Sequence, residues 1–235
     1  MRQQNQILRD IRLIIFDLDG TLIDSQADLA SSVNATRARL GLPDLSEQVI
    51  TSYVGNGVPA LVRRALGGGA SEAEIQFAVA FFLEHYRLHM LDHTHLYPGV
   101  RETLAALASR RMAVLTNKPV NFSRAILAGL KLDSHFADVY GGNSFAEKKP
   151  HPAGVLRLLE DSGVTARQAL IVGDSRVDVE TGRNAGVWTC GVTYGISSGT
   201  LAVVEPDLLV NDLRELPPLL DGARSRSIRG DGNAG

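Results

Sequence analysis

The sequence has one cysteine, no long apolar run and little net charge, and each shortage excludes a class of protein. Cys190 alone cannot form an internal disulfide, which is typical of a reducing compartment. No apolar run is long enough to cross a bilayer, and the opening MRQQNQILRD lacks the apolar middle of a signal peptide. A formal charge of -2 provides no basic surface for nucleic acid or anionic lipid. We expect a cytoplasmic protein, monomeric or homodimeric, that binds neither nucleic acid nor membrane.

Lysine is scarce as well. Of the 24 basic residues only four are lysines, namely Lys118, Lys131, Lys148 and Lys149. Arginine supplies the rest, so the positions that keep lysine are candidates for a specific role.

Short apolar runs separated by helical stretches indicate the fold class. The predicted strands are Leu13–Phe16, Ala113–Leu115, Leu170–Val172, Trp188–Val192 and Leu208–Val210. Their almost continuous hydrophobicity is typical of strands buried on both faces. The alternation predicts an α/β fold, in which a parallel sheet is covered on both sides by helices. In such sheets ligands bind beyond the carboxyl ends of the strands.

Strand signals disappear between residues 25 and 95, where only helical patterns remain. Pro59 suits the first turn of one helix, and Ser71 with Glu74 forms a capping box ahead of another. We therefore predict a small helical domain inserted after the first strand. The sheet domain then comprises residues 1–24 and 96–220. The polar, glycine-rich residues 221–235 are predicted to form a disordered tail.

Two aspartates follow the first predicted strand. Alternation in an extended chain points Asp17 and Asp19 the same way, and Gly20 lets the backbone turn and leaves room for a ligand. Two neighbouring carboxyls can divide labour if one stays ionised and the other carries a proton. An aspartate-rich turn is the alternative for this segment alone.

Thr116 and Asn117 follow the second predicted strand. A hydroxyl and an amide there can donate hydrogen bonds to phosphate oxygens, although for this segment alone a turn-forming role is the better explanation.

Lys149 precedes Pro150 and a predicted helix. Cations are usually unfavourable beside a helix N-terminus, which favours a functional role for this lysine as a point charge for phosphate or carboxylates.

Asp174 and Asp178 follow the third predicted strand, about one helical turn apart. Clustered carboxylates are typical ligands of a hard divalent cation such as Mg²⁺. A helix cap is the alternative for this segment.

The four segments make chemical sense together. Like charges at 4 Å repel by roughly 4 kcal/mol at an effective dielectric of about 20, so four gathered aspartates require Mg²⁺ and Lys149 to offset them. These cations would hold a phosphoryl group in line for attack by Asp17. Asp19 would protonate the leaving alkoxide and then deprotonate the hydrolytic water. The sequence therefore predicts a Mg²⁺-dependent phosphatase of a small metabolite.

The segments DLDGT, LTN, KKPHP and VGDSRVD, in this order and spacing, resemble the phosphatase branch of the haloacid dehalogenase superfamily. The resemblance covers about residues 11–220 and implies a Rossmann-like core with a mobile helical cap. It implies that Asp17 is the nucleophile and Asp19 the acid/base. The implied Mg²⁺ ligands are Asp17, the Asp19 backbone carbonyl and Asp174, with Asp178 supporting the metal or the lysine. The implied phosphate binders are Thr116, Asn117 and Lys149.

Within that branch the chain is most similar to bacterial phosphoglycolate phosphatases, which makes 2-phosphoglycolate the expected substrate. Gly55, Asn56 and Gly57 of the inserted segment are candidates for contacting a small carboxylate, and a plain turn between helices is the alternative. A sugar-phosphate phosphatase or phosphosugar mutase shares the core motifs and stays open. A phosphonatase is excluded because the segment from Ser25 to His95 contains no lysine for a Schiff base. A non-catalytic module that binds a phosphometabolite is the remaining alternative.

Overall fold

The computed structural model describes residues 8–222, and the strands within this range form two sheets. The strands are β1 Leu13–Phe16, β2 Ile23–Asp24, β3 His95–Leu96, β4 Arg111–Leu115, β5 Asp138–Tyr140, β6 Ala169–Gly173, β7 Trp188–Val192 and β8 Leu208–Val210. Six of them form a sheet in the order β5-β4-β1-β6-β7-β8, with parallel pairing throughout. β2 and β3 form a separate antiparallel pair. The predicted parallel sheet is confirmed.

Nine α-helices accompany these strands within the described range. They are α1 Gln26–Arg39, α2 Glu47–Thr51, α3 Val58–Leu66, α4 Glu72–His89, α5 Val100–Ala106, α6 Val120–Gly129, α7 Ala153–Ser162, α8 Arg176–Ala185 and α9 Leu216–Leu220. None of them combines the length and the apolar character that a bilayer crossing requires.

The central strand shows why the apolar runs are continuous. Leu13 and Ile15 of β1 pack in a cluster with Val155 of α7, whereas Ile14 and Phe16 pack in a cluster with Ile126 of α6. All four β1 side chains are buried. Each face of the sheet therefore has its own apolar layer beneath helices, as the alternation of strands and helices predicts.

The helical segment α1–α4 lies between β2 and β3. Its predicted capping box forms at the start of α4, where Glu74 Oε2 accepts from the Ser71 backbone N–H at 2.8 Å. The buried Asp28 of α1 accepts from the backbone N–H groups of His93 and Thr94 at 2.8–3.1 Å. This carboxylate fixes the chain at the point where it returns toward the sheet. Except for Asp221 and Gly222, the predicted tail lies outside the described residues.

Candidate active site

Three neighbouring strands deliver the candidate residues to one edge of the sheet. Asp17 follows β1, Thr116 follows β4 and Asp174 follows β6, and β1 lies between the other two. Carboxylate oxygens of Asp17, Asp174 and Asp178 all lie within 4.8 Å of one another. The fold thus brings together aspartates that are far apart in the chain, as expected at the carboxyl edge of a parallel sheet.

Asp17 lies at the centre of this cluster. Its backbone N–H donates to the Val172 carbonyl at 2.9 Å, which fixes the end of β1 beside β6. Lys149 Nζ lies 2.9 Å from Asp17 Oδ1. Burial raises the pKa of Asp17 to about 6; the Lys149 charge opposes this shift and the Asp178 charge adds to it. Asp17 is therefore a buried carboxyl group with one positive and one negative side chain close to it.

Lys149 joins two of the aspartates. Its Nζ also donates to Asp178 Oδ1 at 2.6 Å, and only 3% of its side chain is exposed. Burial by itself lowers the pKa of this lysine, but the charges of Asp17 and Asp178 outweigh burial and the pKa is raised. Lys149 is therefore a permanent cation of the site.

Asp178 caps a helix and also contacts Lys149. Its Oδ2 accepts from the backbone N–H and from the hydroxyl of Ser175, at 3.1 and 2.6 Å, which forms a capping box at the start of α8. Its other oxygen accepts from Lys149. Helix cap and charge partner are thus one residue.

Asp174 is enclosed by backbone. Its Oδ2 accepts from the Ser197 N–H at 2.7 Å, and a Cβ atom at Gly20 or at Gly195 would collide with its side chain. Burial, followed by the charges of Asp178 and Asp17, raises the pKa of Asp174 well above its ordinary value. Gly20 thus leaves room for the Asp174 carboxylate.

The residues present fit a divalent metal. Three buried carboxylates face one ammonium, so the cluster carries excess negative charge. Asp17 Oδ1 is buried and makes no hydrogen bond within residues 8–222, its lysine contact being an ion pair outside hydrogen-bond geometry. Hard carboxylate oxygens in such a cluster are the preferred ligands of small divalent cations.

This excess charge predicts how metal and pH affect stability. The pKa of Asp17 is raised from 3.8 to about 6. In the pH window between these two values, the folded metal-free protein therefore retains a proton that the unfolded chain has lost. Its stability should fall as pH rises through the window, and a bound cation should reverse the loss. We expect Mg²⁺ to raise the melting temperature more at about pH 7.5 than at about pH 5. Thermal unfolding with Mg²⁺ or EDTA checks this, and an equal gain at both pH values would contradict it.

Asp19 points to a partner that the sequence analysis did not assign. Lys118 Nζ donates to Asp19 Oδ1 and Oδ2 at 2.9 and 3.2 Å, and the Ser25 hydroxyl donates to Oδ1 at 2.5 Å. The scarcity of lysine is the one sequence signal that could have drawn attention to Lys118. Its pairing with Asp19 spans 99 positions of the chain, so no local pattern predicts it.

A cavity lies above the aspartate cluster, and Thr116 and Asn117 line it together with Asp17 and Asp174. Asn117 Nδ2 donates to the carbonyls of Lys149 and Gly55 at 3.0 and 2.9 Å. Thr116 Oγ1 accepts from the Lys118 backbone N–H at 3.3 Å. The Asn117 amide thus links the backbone at Lys149 to the backbone at Gly55 of the helical segment. Both of its N–H donors are used in these two bonds.

The loop 55–57 between α2 and α3 rests directly on the sheet domain. Besides the Asn117 bond to Gly55, Lys148 Nζ donates to the Asn56 carbonyl at 2.7 Å. Gly55 and Gly57 line the cavity. The Asn56 side chain instead accepts from Arg64 at 2.8 Å, within the helical segment. The backbone of this loop therefore contacts the sheet domain, while the Asn56 amide is directed to Arg64.

Gly57 offers a test of this loop contact. Its φ is +84°, and an added Cβ would lie 3.1 Å from Lys148 Nζ and 3.3 Å from the Asn117 carbonyl oxygen. We expect Gly57→Ala to lower kcat/KM for phosphate-ester hydrolysis by about tenfold, because the loop must shift by a few tenths of an ångström against Lys148 and Asn117. Gly67 is a matched control: its φ is +79° and nothing lies within 4 Å of the added Cβ. Equal kinetic losses in Gly57→Ala and Gly67→Ala would attribute the effect to backbone strain alone.

The cavity above the cluster is small and has two different walls. The sheet side supplies the charged residues, and the helical segment supplies apolar side chains, namely Leu29, Val54, Val58 and Leu61. Its volume is about 60 Å³. This space suits a phosphoryl group with few further atoms.

The chain matches known proteins along most of its length. The family model described as haloacid dehalogenase-like hydrolase matches residues 14–192. This chain belongs to the haloacid dehalogenase-like hydrolase family. Among curated relatives, a phosphoglycolate phosphatase of Pseudomonas putida is 43% identical over 88% of this hydrolase and 79% of the relative. One of Vibrio parahaemolyticus is 40% identical over 88% of this chain and 95% of the relative.

Solved structures agree with this membership. A crystal structure from Haemophilus somnus, described as a predicted phosphoglycolate phosphatase, superposes with a TM-score of 0.84 at 34% identity. It covers 92% of this hydrolase and 99% of its own chain. The predicted family, α/β fold and enzyme class, a phosphoric monoester hydrolase, are confirmed. Hydrolases of this family generally use a divalent metal, and the carboxylate cluster fits one.

Proposed function

We propose that this hydrolase is a Mg²⁺-dependent phosphatase that acts on 2-phosphoglycolate. The relatives named phosphoglycolate phosphatase support the substrate, since they match along nearly the whole described chain. The small cavity supports it too, because one methylene group and one carboxylate are all that this ester carries besides the phosphate. The observation that carries the proposal is the buried Asp17, paired with Lys149 and surrounded by Asp174 and Asp178.

Asp17 is the proposed nucleophile. One of its oxygens bonds to phosphorus while the bond between phosphorus and the glycolate oxygen breaks. Lys149, fixed between Asp17 and Asp178, draws the phosphoryl oxygens toward the attacking carboxylate. When bound, Mg²⁺ would supply further neutralisation of the phosphoryl charge, held by Asp17, the Asp19 carbonyl and Asp174. Thr116 and Gly20 complete the proposed phosphate pocket together with Asn117, whose amide would exchange one of its bonds to the Lys149 and Gly55 carbonyls for a phosphate oxygen.

Asp19 is the proposed acid and base. It gives its proton to the leaving glycolate oxygen as the ester bond breaks. It then takes a proton from water while the water oxygen bonds to phosphorus and the bond to Asp17 breaks. The products are glycolate and phosphate, and both aspartates return to their starting forms. Asp178 stays outside the bond changes and holds Lys149 in place.

Residues 25–95 are the proposed cap over this site, and residues 1–24 and 96–220 the proposed catalytic core. The apolar cavity wall from α1 and α3 supports this division, as does the contact of the loop 55–57 with Asn117 and Lys148. A closed cap keeps bulk water from the phosphoryl group. The cytoplasmic location and the monomeric or homodimeric state stay predictions from the sequence.

The proposed function is tested by phosphate release from a panel of esters with Mg²⁺ and with EDTA. We expect 2-phosphoglycolate to have the highest kcat/KM and EDTA to abolish turnover. Preference for a hexose phosphate would favour the sugar-phosphate alternative, and isomer formation without free phosphate would favour a mutase. No turnover of any ester, despite tight binding of Mg²⁺ and phosphate, would favour a non-catalytic module.

A further inference from the structure

Lys118 is a buried ammonium on the cavity wall that the mechanism above does not use. Its Nζ donates to both carboxylate oxygens of Asp19, at 2.9 and 3.2 Å. It also lies 4.6 Å from the centroid of the Tyr86 ring. Only 5% of its side chain is exposed. A buried charge is costly unless its partners compensate it, so this lysine has a defined place and few partners.

The other charges of the cavity leave one place for a second anionic group. Among the described lining residues, the cations are Lys118 and Lys149, and Lys149 already contacts Asp17 and Asp178. The wall from the helical segment is apolar or glycine. Arg64 of that segment donates to the Tyr53 carbonyl and to Asn56. A negative group at the far end of a substrate would therefore meet Lys118.

We propose that Lys118 binds the carboxylate of the substrate and that this carboxylate takes the place of Asp19 on the ammonium. The inference rests on the proposed phosphatase function. One carboxylate replaces another, so the charge beside Lys118 is unchanged by the exchange. Asp19 keeps its hydrogen bond from the Ser25 hydroxyl, at 2.5 Å, and is released from the ammonium. The freed carboxylate takes up one proton from solvent water and then gives that proton to the leaving oxygen. Recognition of the substrate and release of the acid/base then occur at one ammonium.

This exchange predicts a particular kind of specificity. A phosphate ester without a second anion leaves the pair of Lys118 and Asp19 intact, so it should turn over slowly in addition to binding weakly. Sites built around a polar group of the substrate reject analogues that lack it by factors of about 10⁴–10⁵ in favourable cases. We expect kcat/KM for 2-phosphoglycolate to exceed that for ethyl phosphate by at least about 100-fold, with part of the difference in kcat.

The test measures kcat and KM for both esters with Mg²⁺ in the wild type, Lys118→Met and Lys118→Arg. We expect Lys118→Met to reduce the preference for 2-phosphoglycolate to within about threefold, mainly through loss of activity on that ester. Lys118→Arg keeps the cation and should retain most of the preference. Lys131→Met removes the same charge from an exposed position just after α6 and should keep the wild-type ratio.

Two results would overturn the inference. One is an unchanged ratio in Lys118→Met, because Lys118 would then serve Asp19 alone. The other is a wild type that hydrolyses both esters equally well. This comparison needs no variant, so it tests the inference even if Lys118→Met fails to fold. If the wild type released phosphate from neither ester, the proposed function itself would be contradicted. That outcome is distinguishable from the two results above.

Discussion

Asp17→Asn should lower kcat for 2-phosphoglycolate by at least about 10⁴-fold, because the amide cannot form the covalent bond to phosphorus. The substitution conserves shape, and the Asp17 backbone N–H keeps its bond to the Val172 carbonyl. Single-turnover phosphate release measures the chemical step. Full activity in this variant would remove Asp17 as the nucleophile.

The same variant should fold at least as stably as the wild type without metal. A pKa raised from 3.8 to about 6 means that the ionised Asp17 costs the folded state up to about 3 kcal/mol at neutral pH, at about 1.4 kcal/mol per pH unit. The neutral amide removes that cost, and Lys149 keeps Asp178 as its partner. Denaturant unfolding in EDTA at about pH 7.5 tests this. A large loss of stability would mean that the activity loss reports misfolding.

Lys149→Met should impair both activity and stability. Nζ lies 2.9 Å from Asp17 and 2.6 Å from Asp178, and the lysine side chain is only 3% exposed. Removing one partner from a buried ion pair typically costs about 3–5 kcal/mol, because the remaining charges are left uncompensated. We expect a destabilisation of that size in metal-free protein at about pH 7.5, together with a loss of kcat of about 10³-fold.

The uncompensated charges determine how this destabilisation responds to pH and to Mg²⁺. It should shrink toward about pH 5, because Asp17, whose pKa is raised to about 6, regains its proton there, and it should shrink when Mg²⁺ is added. The adjacent Lys148 is a matched control for stability, because it is exposed and its ammonium donates to a backbone carbonyl, that of Asn56, rather than to a buried carboxylate. We expect Lys148→Met to change the free energy of unfolding by less than about 1 kcal/mol. A pH-independent loss in Lys149→Met would indicate lost packing rather than uncompensated charge.

The sheet was predictable wherever strands are buried on both faces. β1 is four consecutive buried apolar residues, which no other element type explains as simply at that length. β5 was missed because it is a three-residue edge strand in which only Val139 is buried. The helix α2 and the pair of β2 and β3 were missed for a similar reason, since elements of two to five residues hold too little periodicity.

The candidate site was predictable where its residues directly follow apolar strands. Asp17 and Asp174 could be placed at one edge because parallel neighbours end together. The contacts of Lys118 with Asp19 and of Asp28 with Thr94 were out of reach, because 99 and 66 positions separate the partners. The direction of the Asn56 side chain depends on Arg64, the seventh residue of the following helix, and no pattern specifies that bond.

The pairing of β2 with β3 has a consequence for how such enzymes diversify. Asp24 lies opposite His95, so the chain leaves the sheet domain and re-enters it at a single point. A change in the length of the stretch between these two residues is absorbed outside the sheet, whose strands keep their register. If that stretch is the cap proposed above, insertions, deletions or whole replacement of it can alter which esters are admitted while the hydrolytic apparatus is inherited intact.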